Sequence, residues 1–95
     1  MKNQEKTISL VRQSLKELQL EIERHANSAA IVGDISQLRS FKVYLEGIRE
    51  QMESNCVPDK DQRRFGMGKA ITDSWPLDSK LGNLLCSAEE AYSNL

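Results

Sequence analysis

The stretch Ile8-Ser9-Leu10-Val11-Arg12-Gln13-Ser14-Leu15-Lys16-Glu17-Leu18-Gln19-Leu20-Glu21-Ile22 decides the fold class. Its apolar residues Ile8, Val11, Leu15, Leu18 and Ile22 recur at alternating steps of three and four, which places them on one stripe of an α-helix. Lys, Arg, Gln, Glu and Ser fill most of the other face. The heptad spacing is that of a bundle or coiled-coil seam, so the stripe requires a partner helix. Leu10 and Leu20 fall off the stripe. They widen the apolar arc beyond a two-stranded seam and favour a globular bundle or a higher oligomer, unless they are isolated surface leucines.

Past His25-Ala26-Asn27-Ser28-Ala29-Ala30, where large apolar residues are absent, a second stripe begins: Ile31, Ile35, Leu38, Phe41, Leu45, Ile48 and Met52. It is out of phase with the first. Continuing the first heptad would put Ala29 and Ser36 on the seam, so a turn separates two antiparallel helices. Two sites compete for that turn. Asn27 or Ser28 caps a helix that includes Ile31, or the first helix ends at Gly33, with Asp34 as cap and Gln37 closing a capping box. Pro58 sets the far limit of the second helix, because the residue before a proline leaves the α region. Residues 2–55 thus read as a helical hairpin.

Residues 56–76 form a connector. Asp59 or Asp61 can cap a short helix through Gln62, Arg63, Arg64 and Phe65, but Gly66 and Gly68 weaken it, so helix and ordered loop compete. Helical spacing returns at Leu77, Leu81, Leu84, Leu85, Ala88, Ala91 and Tyr92, which predicts a C-terminal helix over 77–94. Pro76 suits its first turn, Asp73, Ser74 or Asp78 can cap it, and Trp75 is placed to fold back as a plug. The expected architecture is an all-α small helical bundle, an antiparallel hairpin plus a C-terminal helix, in one domain over 1–95.

Composition agrees. Ninety-five residues leave room for one core. Hydrophobic residues at 39% suit a folded chain, and aromatics at only 5% suit packed helices better than a sandwich. With 13 basic against 14 acidic residues, the net charge of -1 sets up no field to draw the chain to a polyanion or membrane. The polar start and the missing apolar run read as cytoplasmic, with no membrane span. Cys56 and Cys86 form no Cys-x-x-Cys pair and read as reduced thiols, or as a disulfide in an oxidising compartment.

Chemistry-bearing patterns are few. His25, the one histidine, falls at the end of the first helix, where the dipole favours a cation, and no serine or cysteine can be tied to it as a nucleophile. The sequence therefore names no catalytic residue, and it does not read as an enzyme. Arg63-Arg64-Phe65-Gly66-Met67-Gly68-Lys69 resembles a phosphate cradle through Arg63, Arg64 and Lys69. However, Ala70 follows the lysine and no strand precedes the stretch, as a P-loop would require. A weak, salt-sensitive nucleic-acid or nucleotide site there is the alternative function, and Asp59 and Asp61 oppose it. The scattered carboxylates lack the spacing of a calcium loop, so neither metal nor cofactor is expected.

Leu10, Leu20, Val43 and Tyr44 lie beside the main stripes. They either close the bundle or form an interface. A chain this small gains from extra burial, so the expected function is a protein-interaction module that self-associates as a dimer, in the manner of an inhibitor, immunity-type or regulatory protein. A foreign protein is the other candidate partner.

Overall fold

The computed structural model describes residues 2–26, 34–59, 66–76 and 78–95. They form four helices, α1 (Lys2–Ala26), α2 (Ile35–Glu53), α3 (Met67–Ser74) and α4 (Lys80–Ser93), and no strand occurs among them. The all-α bundle expected from the periodicity is the fold observed.

Helix α1 is the central element, packed on α2 along one flank and on α4 along the other. Both run antiparallel to it. The Gln4 side chain donates to the Met52 carbonyl near the end of α2, and the last turns of α1 share a cleft with the start of α4. Serving two partners rotates the buried face of α1. Its most buried line is Thr7, Val11, Ser14, Leu18 and Glu21, while Ile8, Leu15 and Ile22 of the expected stripe are half-buried beside it.

The first turn resolves in favour of the Asp34 cap. Asp34 Oδ1 accepts from the Gln37 amide at 2.8 Å, which satisfies one of the free donors at the start of α2. The Gln37 side chain does not close a box. Its Oε1 accepts from the Trp75 indole nitrogen at 2.9 Å, so the end of the connector is tied to the first turn of α2. Ile31 and Gly33 lie outside the described residues.

Helix α2 ends at Glu53, well ahead of Pro58. Asn55 adopts φ 58, and the Cys56 and Asn55 amides return to the Gln51 and Met52 carbonyls at 2.8 and 3.3 Å. That pair of bonds is a Schellman stop with Asn in the place usually given to Gly.

The connector contains a short helix over 67–74; Asp61, Gln62, Arg63, Arg64 and Phe65, through which an earlier short helix was expected, lie outside the described residues. Ser79, not Asp73, Ser74 or Asp78, caps α4, accepting from the Gly82 amide at 3.0 Å, and Pro76 precedes the helix instead of entering its first turn. Trp75 does act as a plug: it is 6% exposed and meets Phe41 with ring centroids 6.0 Å apart. The core joins Leu38, Phe41, Leu45 and Ile48 of α2 to Met67 and Ile71 of α3 and to Leu85, Ala88 and Tyr92 of α4. Each buried Leu, Ile, Phe or Met side chain among them contributes about 1.5–3 kcal/mol by leaving water.

Candidate interaction surface

Helix α2 presents Leu38, Phe41, Leu45, Ile48 and Met52 to the core. On the opposite side, Ser36, Ser40, Val43, Gly47 and Glu50 recur at steps of four and three, one continuous outer line. Val43 stands out on it. It is 70% exposed, against 40% for Leu20, the other large hydrophobic residue left open among those described. One turn on, a Cβ built on Gly47 meets nothing within 4 Å, and the residues around it, with Glu50, Gln51, Glu53 and Ser54, outline a shallow hollow. A glycine inside a helix costs about 1 kcal/mol relative to Ala. No contact among the described residues requires that cost at Gly47.

The structure divides the four side chains that flank the stripes. Leu10 and Tyr44 are half-buried and packed against the core, so they close the bundle. Leu20 and Val43 are the exposed pair. Alternation of apolar and polar residues could not separate the two cases, because which flank is covered depends on where the neighbouring helices lie.

Charge on α2 is segregated. Arg39 and Lys42 fall in its first half, Glu46, Glu50 and Glu53 in its second. Arg49, the exception, is opposed by Glu53 at 3.9 Å, and Glu53 also receives Arg12 at 3.2 Å. Since the N-terminus of a helix favours carboxylates and its C-terminus cations, this order runs against the helix's own dipole.

Two other depressions lie on the described surface. A cleft of about 610 Å³ between the second half of α1 and the start of α4 is lined by Glu17, Glu21, Arg24, Lys80, Leu81 and Leu84 among others. Glu21 there is buried and holds Arg24 at 3.0 Å, a charge pair formed within α1. The second hollow brings Lys69 beside Glu89 and Glu90. Of the phosphate-cradle residues only Lys69 is described, and the two carboxylates beside it repel an anion.

Glu89 has a structural task that sequence reading missed. Gly66, at φ 93, offers α3 no capping side chain, and the Glu89 carboxylate supplies the cap from α4. Oε1 accepts from the Gly68 amide at 2.8 Å and Oε2 from the Met67 amide at 3.3 Å. The neighbouring Cys86 thiol is pushed up from its ordinary value by burial and then by the Glu89 and Glu90 carboxylates, so it stays protonated near neutrality. His25 sits with Arg24 in the last turn of α1. Among the described residues no group of three or more His, Cys, Asp or Glu side chains could hold a metal ion, and no helix is long and apolar enough to cross a membrane. No family model matches the sequence, and no curated protein matches it.

Proposed function

We propose that this chain is a small protein-interaction module that self-associates, as a dimer, through the outer face of α2. The observation that carries the reading is Val43, 70% exposed beside a glycine whose missing side chain leaves open space. An apolar knob next to a hollow on one rigid helix suits docking against a second helix, which buries the valine and turns the cost of Gly47 into close approach. Such a module works as a small inhibitor, immunity-type or regulatory protein does, by occupying a surface. It needs no cofactor. Two free thiols suit it to the reducing cytoplasm.

The test is light scattering across a size-exclusion column, with protein loaded from about ten micromolar to about one millimolar, a range that spans weak interfaces. A mass that climbs from 10.8 kDa towards twice that value with concentration is expected. A mass fixed at the single chain throughout overturns self-association.

A further inference from the structure

Resting on that self-association, we infer that the second copy lies antiparallel, α2 against α2. Val43 of each copy then seats over Gly47 of the other, and Arg39 of each faces Glu50 of the other.

Charge selects the direction. Arg39 and Lys42 occupy the first half of α2 and Glu46 and Glu50 the second, an order its own dipole disfavours. In a parallel pair, like halves would meet. Reversal brings the basic half of each helix to the acidic half of the other. Arg39 and Glu50 lie to the same side of the line joining Val43 to Gly47, and in antiparallel helices like flanks face each other. Both side chains are exposed, and neither has an ion-pair partner among the described residues.

Shape selects the same arrangement. A twofold interface must be self-complementary, with residue i on j and j on i. The α2 face carries its knob and its hole one turn apart, Val43 exposed and Gly47 open. An antiparallel twofold axis passing between them fills both holes with both knobs at once. In a parallel pair the two valines would abut and the two glycines would leave a gap.

Size sets the strength. A 19-residue helix is about 28 Å long, and one face of it buries on the order of 350 Å² per copy. This is less than half of the roughly 800 Å² per partner found in stable complexes. Association is therefore weak and fast, with a Kd on the order of 100 µM.

The test is sedimentation equilibrium on the full chain with Arg39→Glu, Glu50→Arg and the double variant, beside wild type. Each single change converts both cross-pairs of the dimer to repulsive ones and is expected to raise Kd about ten-fold, and the double change should return it to within about three-fold of wild type. Far-UV circular dichroism checks that each variant folds, which the exposure of both positions favours. A wild-type dimer whose Kd the double variant does not restore overturns the antiparallel pairing and leaves self-association standing. A wild-type chain that stays monomeric at millimolar concentration overturns both.

Discussion

The amides of Met67 and Gly68 open α3 behind a glycine that cannot cap them, and both point at the Glu89 carboxylate of α4. Glu89→Ala removes that contact. A hydrogen bond to a charged acceptor contributes about 1.5–3 kcal/mol net, and losing a buried acceptor exposes the donor's full desolvation cost. Met67 is fully buried, so water does not replace its lost partner, whereas the half-buried Gly68 amide reaches solvent and recovers part of its loss. The two together come to about 2–4 kcal/mol. For a domain of this size each kcal/mol moves Tm by about 4–8 °C, so a fall of about 8–32 °C is expected. Glu89→Gln keeps the volume and one acceptor oxygen but turns an N–H towards an N–H, and should lose about half as much. Urea unfolding followed by circular dichroism and by Trp75 fluorescence gives the stability, and hydrogen exchange of the α3 amides locates the loss. A Glu89→Ala chain within about 1 kcal/mol of wild type, or with α3 amides still protected, would refute the assignment of Glu89 as the cap.

Two glycine substitutions should move stability in opposite directions. A Cβ on Gly82 meets Ile71 Cγ2 at 3.0 Å and Trp75 Cε3 at 3.2 Å. Gly82→Ala should therefore cost about 1–3 kcal/mol of overpacking against about 1 kcal/mol gained in helix propensity. Gly47→Ala has open space and should stabilise the monomer by about 0.5–1 kcal/mol. Urea midpoints decide both, and a Gly82→Ala chain as stable as wild type would show that α3 and α4 do not need the close approach. Cys56 is exposed and Cys86 half-buried with a raised thiol, so iodoacetamide at pH 8 should label Cys56 well before Cys86, as peptide mapping will show. The folded chain keeps the Cys86 proton above the ordinary 9.0 at which the unfolded chain releases it. Its contribution is thus complete below pH 9 and lost as pH rises through the folded value. The stability difference between wild type and Cys86→Ser should shrink or reverse over that window, and a difference that does not change with pH would contradict the burial.

Much of the fold was legible in order along the chain because helix periodicity and caps are local. The stripe from Ile8 to Ile22 predicted α1, the out-of-phase stripe read from Ile31 to Met52 predicted α2, and the Asp34 to Gln37 spacing marked the cap observed. The short helix α3 was legible only as a possibility, since its cap comes from Glu89, a residue 21 positions on from Gly68. Ser79 as the cap of α4 was missed for a simpler reason. Several residues around Pro76 can accept from a helix end, and the choice depends on where Trp75 must sit to reach Phe41 and Gln37.

What the sequence determines by itself is that this chain folds as packed helices, since the spacing of its apolar residues admits no other burial. What only the tertiary structure decides is which flanks are covered. Because α1 packs on two helices, its buried line passes through Thr7, Ser14 and Glu21, polar residues that no hydrophobic pattern would nominate. Leu10 and Tyr44 are covered and Val43 is not, although all three stand beside their stripes in the same way. A helix fixes the angle between its side chains, but only the positions of its neighbours determine which angles face water.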